Sequence, residues 1–269
     1  MPELPEVETT VRAINKFENH ILNKVIVHNK NLRWKVEKKV QTLTRKQLVR
    51  KITRRAKYIL MHLDSQCLMI HLGMSGKLRI QNVKDNYFKK HDHAELIFEN
   101  EKIVFNDVRR FGSIHLCENP EKHKLIKDLG EEPLSKSFNK AFLLDVCKNS
   151  NLCIKKLIMD QKNVVGVGNI YASESLFLAK INPNRLSKDI SDSEGEELVK
   201  SIKIILKRAI KMGGTTLQHF YSADGNQGYF SLKLNVYGRD SMICNNCDSK
   251  IVKSIIGQRA TYSCNNCQV

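Results

Sequence analysis

Two C-x2-C pairs close the sequence, Cys244 with Cys247 and Cys264 with Cys267, and 16 residues separate them. Four thiolates supply the tetrahedral sulfur set that Zn²⁺ prefers, and each pair forms a tight knuckle donating two of them. The intervening 250-KIVKSIIGQRATYS can fold as a hairpin that brings the knuckles together. Sulfur then fills every coordination position, so one structural Zn²⁺ per chain is expected, with no seat for water. Redox dithiols are the competing reading, but such a motif would occur once, beside a βαβ unit. A tail this small needs the metal to hold it together. By itself it points only to nucleic acid or protein as a partner.

The opposite end carries a different chemistry. The stretch 2-PELPEVE sets two prolines and three acids ahead of the first helical pattern. Its plain reading is that Glu3, Glu6 and Glu8 counter the dipole of a helix N-terminus. In 166-GVGNIYASES, paired glycines precede a helix; they permit a tight turn with N–H groups suited to phosphate, or simply an interhelix turn.

These groups need a scaffold, and the texture of the chain describes one. Pro5 suits a first helical turn, and Val7, Val11, Ile14 and Phe17 then recur at helical spacing. From about Lys24 to Cys117 the signals are those of short strands: 58-YILMHL, 68-LMIHL, 77-KLRIQ, 94-AELIF, 102-KIVFN and 113-SIHLC. Such a series favours a sandwich or barrel. After 130-GEEPLS, helical patterns follow at 138-FNKAFLLDVC, 153-CIKKLIMD, 169-NIYASESLFLAK and about 192–212. Leu198, Ile202, Ile205 and Ala209 share one face of the last, and Gly213-Gly214 ends it. The segment 215-TTLQHFYSADGNQGYF reads as a functional loop.

Composition narrows the partners. The 269 residues carry a formal charge of +17. Thirteen Lys and Arg stand against one acid, Glu37, between Lys24 and Lys57. That field suits a polyanion, nucleic acid first, although a lysine-rich solvated surface would look the same. No apolar run approaches the roughly 20 residues of a membrane helix, and MPELPEVETT is no signal peptide. A cytoplasmic protein without membrane attachment is expected. Cys67, Cys117, Cys147 and Cys153 read as single, buried, reduced thiols.

Taken in order, 2-PELPEVE, 54-RRAKYIL, 71-HLGMSGKL, 106-NDVRRFG, 164-VVGVGNIYASESL and the cysteine ribbon resemble formamidopyrimidine-DNA glycosylase, from Pro2 to the last cysteine. The resemblance implies an α+β fold: a β-sandwich domain with an initial catalytic helix (1–132), a helix–two-turn–helix domain with a lesion-capping loop (133–237) and a zinc finger (238–269). It implies a monomer that removes oxidised purines from damaged double-stranded DNA and then acts as a lyase. Pro2 would be the nucleophile once Met1 is removed, because the Met1–Pro2 amide nitrogen cannot attack. Glu3 would handle protons beside the sugar and Glu6 would support the amine. Lys57 and Arg259 complete the implied catalytic set. Met74, Arg109 and Phe111 match the intercalating residues, although Met74 and Phe111 alone would read as core. Lys155, Asn169 and His91 are the other implied DNA contacts, while as lone histidines His71, His91 and His93 read as structural hydrogen-bonding groups. Two departures stand out: Val108 and Lys156 occupy positions where the family usually has proline.

Two rivals share much of this pattern. An endonuclease VIII-like relative preferring oxidised pyrimidines would typically have glycine in place of Leu4 and lack the 215–230 loop. A non-catalytic damage sensor would keep Arg259, Asn169 and the charge without needing a free Pro2 amine.

Overall fold

The structure, a computed structural model, describes residues 2–85, 88–214 and 234–269. The proposed lesion-capping segment 215–230 therefore lies outside the described residues. The chain divides into two compact units, residues 1–127 with 212–230 and residues 128–211 with 231–269.

In the first unit, α1 (Leu4–Ile14) opens with Pro5 in its first turn and buries Leu4, Val7, Val11 and Ile14. Next come β1 (Ile21–Leu22), β2 (Lys24–Val27), the short α2 (Lys39–Thr42) and β3 (Gln47–Leu48). The series continues through β4 (Lys51–Arg55), β5 (Tyr58–His62), β6 (Cys67–His71), β7 (Lys77–Asn82), β8 (Asp92–Ile97), β9 (Glu101–Asn106) and β10 (Ser113–Cys117). Two antiparallel four-stranded sheets result, ordered β10-β6-β5-β4 and β2-β8-β9-β7, and β1 pairs with β3. Alternation of side chains sends Ile52, Ile59, Met61, Leu68 and Ile70 of one sheet and Leu78, Ala94, Leu96, Ile103 and Phe105 of the other into one core. The α1 residues Val7, Val11 and Ile14 join that core, which fixes the residues preceding Val7 against the sandwich. This is the sandwich that the strand series favoured.

The four cysteines outside the ribbon are free thiols, as expected, and Cys67 and Cys147 are buried. Cys67 and Cys117 are register partners on β6 and β10. The Cys117 Sγ also lies 3.3 Å from the Met69 Sδ. Cys117 and Cys153 are only half-buried. Sequence spacing could not bring together two cysteines lying on strands that pair only in the fold.

In the second unit, α3 (Lys140–Lys148), α4 (Ile154–Met159), α5 (Asn169–Leu178) and α6 (Asp192–Lys211) form the helical part. Leu198, Ile202, Ile205 and Ala209 line the buried face of α6. Beyond its end, Gly213 and Gly214 adopt φ of +84° and +87°, which stops a helix cheaply only with glycine. α4 begins firmly at Ile154 without proline, and Lys156 packs over the hairpin turn at Gly257. β11 (Val252–Ile256) and β12 (Arg259–Ser263) make the terminal hairpin. Its turn residues Gly257 and Gln258 both take positive φ, the twist a two-residue hairpin requires.

Candidate functional site

The N-terminal site rests on a capping box. Glu3 is the N-cap of α1, and its N–H donates to Glu6 Oε2 at 2.8 Å. Pro2 is buried, while Glu3 and Glu6 are 2% and 3% exposed. Two carboxylates held this far from water are unusual at a helix start, where Glu normally meets solvent. Gly214 closes on the same group, since a Cβ there would stand 3.2 Å from Glu6 Oε1. The plain reading of Glu3 and Glu6 as helix-start residues is thus realised, with burial added to it.

Lys57 lies in the two-residue turn joining β4 to β5, with Ala56 before it at a left-handed φ of +52°. Arg54 braces that turn to α1: its Nη1 donates to the Ala56 carbonyl at 2.8 Å and its Nε to Glu8 Oε2 at 3.1 Å. Glu8 therefore has a task beyond countering a dipole, because it orients the hairpin bearing Lys57. Close by, burial followed by the charges of Lys57 and Arg33 pushes His71 down to about 4, so its ring is neutral. His71 Nδ1 accepts the Gly73 N–H at 3.0 Å. Arg33 is exposed, stacks its guanidinium 4.8 Å over Trp34, and donates its N–H to the Gly112 carbonyl at 3.1 Å. In the sequence it was one of thirteen basic residues, and nothing set it apart.

Two loops carry Met74, Arg109 and Phe111. Phe111 is 42% exposed and Val108 58%, so Phe111 is no core residue. The Arg109 guanidinium lies 4.7 Å over the Phe111 ring. Met74 is half-buried on the neighbouring loop. His91 takes a left-handed φ of +75°, and its carbonyl receives the Asp107 N–H at 3.0 Å. His93 Nε2 donates to the Asp107 carbonyl at 2.8 Å, a structural bond of the kind expected of it.

In the second unit, Lys155 and Asn169 converge on the hairpin. Lys155 is 1% exposed and its Nζ donates to Thr261 Oγ1 at 2.7 Å. Asn169, first residue of α5, donates from Nδ2 to the Ala260 carbonyl at 2.8 Å. Thr261 Oγ1 in turn donates to the Arg259 carbonyl at 3.2 Å. The Arg259 side chain stays exposed and makes no ion pair among the described residues. Sequence reasoning also missed Glu174, a buried carboxylate on α5 that accepts the N–H groups of Asn235, Val236 and Tyr237, each at 2.9 Å.

The four ribbon sulfurs lie within 4.8 Å of one another. Cys244 and Cys267 are 3.9 Å apart, and Cys247 stands 3.5 Å from both Cys264 and Cys267. A tetrahedron with Zn–S of about 2.3 Å has sulfur–sulfur edges of roughly 3.8 Å, so the donor set fits that ion. The Ser249 N–H and then the Asn266 side chain pull the Cys247 thiol down to about 6. One ligand is thereby ready as thiolate.

Comparison with known proteins gives a consistent answer. The family model of the formamidopyrimidine-DNA glycosylase N-terminal domain matches residues 1–114, and that of the glycosylase's H2TH domain matches residues 129–221. A formamidopyrimidine-DNA glycosylase of Ruthia magnifica subsp. Calyptogena magnifica is 46% identical over 270 residues, covering 100% of both chains. Among solved structures, a mutant Lactococcus lactis Fpg in complex with a Fapy-dG-containing DNA aligns with a TM-score of 0.92 and 32% identity, covering 99% of each chain. The wild-type Lactococcus lactis Fpg with an oxidised-pyrimidine-containing DNA aligns with a TM-score of 0.90 and 32% identity, again over 99% of each.

Proposed function

The chain belongs to the formamidopyrimidine-DNA glycosylase family, which acts on damaged bases in DNA, and from that premise we propose how it works. It excises oxidised purines, 8-oxoguanine and formamidopyrimidines, through the amine of Pro2 and then cleaves the strand. The observation carrying this reading is a buried imino acid with two carboxylates within the next four residues, Glu3 and Glu6, that are 2% and 3% exposed. Removal of Met1 turns the Pro2 nitrogen into a secondary amine. An α-amino group with a pKa of about 8 is partly neutral at pH 7 and can attack.

The Pro2 nitrogen bonds to the sugar C1′, and the damaged base leaves with the C1′–N bond electrons and a proton. Ring opening gives an iminium that cannot become a neutral imine, because its nitrogen holds no proton to lose. The cation acidifies C2′; loss of that proton expels the 3′ phosphate, and a second elimination expels the 5′ phosphate. Glu3 handles the protons beside the sugar. Glu6, bonded to the Glu3 N–H, fixes the first residues of α1. Hydrolysis of the iminium returns the amine.

Duplex DNA must first give up the base, and the vacated stack needs a filler. Met74 and Phe111 supply apolar wedges and Arg109 hydrogen-bonds the orphaned cytosine. The exposure of Phe111 supports that role. Lys57, Arg259 and Asn169 hold phosphates, and His91 is a further contact. Lys155, spent on Thr261, acts by holding the hairpin that presents Arg259. Cys244, Cys247, Cys264 and Cys267 would hold a zinc ion, which cross-links the hairpin when bound. Leu4 and the 215–230 segment favour purines over pyrimidines.

Borohydride trapping on an 8-oxoguanine·cytosine duplex tests the chemistry. A covalent adduct is expected, abolished or severely reduced by Pro2→Gly. Protein with an intact Pro2 that binds the duplex yet never crosslinks would overturn the assignment in favour of a damage sensor.

A further inference from the structure

We propose that Asp107 is the positioning residue of the base-displacing wedge, the group that locks its two loops into one rigid tooth. The inference rests on the role given above to Met74, Arg109 and Phe111, and adds a residue that touches neither DNA nor the reacting atoms.

Asp107 is 0% exposed although it borders an exposed loop. Its carboxylate accepts the Ser75 hydroxyl at 2.5 Å, the Gly112 N–H at 2.7 Å and the Arg109 N–H at 3.3 Å. Its own N–H and carbonyl are also taken, by the His91 carbonyl and by His93 Nε2 with the Arg110 N–H. The three carboxylate bonds connect separate stretches of chain. Ser75 lies next to Met74, while Arg109 and Gly112 bracket the residues from Arg109 to Phe111. One side chain therefore reaches both loops that carry the wedge.

The backbones confirm how tightly the loops are drawn together. A Cβ at Gly73 would stand 2.4 Å from both the Gly112 nitrogen and the Phe111 carbonyl carbon. Ser75 Oγ also receives the Arg109 N–H at 3.0 Å, so the hydroxyl relays the carboxylate to the second loop. Unbraced, an exposed segment with an exposed Phe111 would spread over many conformers, and each insertion would have to overcome that entropy. A buried carboxylate surrounded by donors has its acceptor capacity used within the fold. Asparagine in its place keeps the shape but turns an NH2 toward one of those donors.

Val108, next to Asp107, leaves its own φ free to vary. Proline would fix φ near −65° by covalent means. Valine leaves that torsion to be held by Asp107.

The test compares two substrates with the zinc-loaded, Met1-processed protein. An 8-oxoguanine·cytosine duplex requires the wedge, whereas a single-stranded oligonucleotide with an abasic site requires only Pro2 chemistry. Asp107→Asn is expected to slow single-turnover excision from the duplex at least tenfold while borohydride trapping on the single strand stays within twofold. Ser75→Ala should move the same way by a smaller factor, and Val108→Pro placed on Asp107→Asn should restore part of the loss. Wild-type duplex rates in Asp107→Asn, or equal losses on both substrates, would overturn the proposal. Should Asp107→Asn not fold, Ser75→Ala decides on the same criteria. Arg109→Ala separates the two levels: unchanged duplex excision in that variant would sink the wedge reading itself, and absence of trapping by the wild type would sink the Pro2 reading.

Discussion

Adjacent glycines provide a matched pair of perturbations at the N-terminal site. Gly213 and Gly214 take nearly the same left-handed φ, +84° and +87°. Placing a Cβ in that region costs about 1–2 kcal/mol at either position. For a chain of this size, each kcal/mol lowers Tm by about 2–4 °C. Their surroundings differ, however. Among the described residues, a Cβ at Gly213 meets nothing within 4 Å, whereas one at Gly214 lies 3.2 Å from Glu6 Oε1 and 3.3 Å from Glu6 Cγ. Gly214→Ala must therefore move the Glu6 carboxylate by a few tenths of an ångström. That carboxylate holds the Glu3 N–H at 2.8 Å, so the shift reaches the residue beside Pro2. A misplacement of 1 Å can cost a factor of roughly 100 in rate, so a third of that displacement should cost about fivefold. Thermal unfolding and single-turnover excision on the same preparations separate the two effects. Both alanine variants should lose similar Tm, and only Gly214→Ala should lose rate. If Gly213→Ala slows excision as much, or Gly214→Ala loses Tm without losing rate, then Glu6 does not transmit the contact and its supporting role fails.

Three further outcomes follow from the same geometry. Metal analysis of the purified protein should find one zinc per chain, and Cys247→Ser should lose that zinc together with at least tenfold in DNA affinity; metal-free protein of full affinity would refute the ribbon's role. His71 is neutral in the fold down to about pH 4 but titrates near 6.5 when unfolded. Its contribution to stability is thus complete above pH 6.5 and is lost as pH falls toward 4, by about 3 kcal/mol at most. Unfolding midpoints of His71→Asn should fall less steeply over that window, and parallel slopes would exclude the effect. Affinity for duplex DNA should weaken steeply with salt, and Arg259→Ala should reduce the log–log slope by about one, as removal of one phosphate contact does. An unchanged slope would remove Arg259 from the proposed phosphate contacts.

What was legible in the sequence divides along a physical line. Strands such as Tyr58–His62 and Glu101–Asn106 are short, continuously buried runs set between turn residues, and α6 repeats its apolar residues at helical spacing, so local pattern sufficed. The ribbon was legible because metal ligation imposes its own spacing on Cys244, Cys247, Cys264 and Cys267. Pairings that exist only after folding were not. Ser75 and Asp107 are 32 residues apart, Lys155 and Thr261 106, and no window contains either pair. The two-residue strands β1 and β3 and the single-turn α2 carry too few residues to show any period. Phe111 misled for a related reason, since an aromatic is buried by default unless something holds it out.

Glu3 and Glu6 show why the plain and the chemical readings of a motif need not compete. A capping box needs a carboxylate three residues after the N-cap, reaching back to its N–H. That requirement places Glu6 against the residue next to Pro2 whatever else it does. Burying the pair against a sandwich core through Val7, Val11 and Ile14 then removes the solvent that would otherwise let the first residues fray. A nucleophile at the end of a chain has no residue before it to hold it in place. In the proposed mechanism the cap supplies that hold, so the hydrogen bond that starts the helix would also limit the motion of the Pro2 amine.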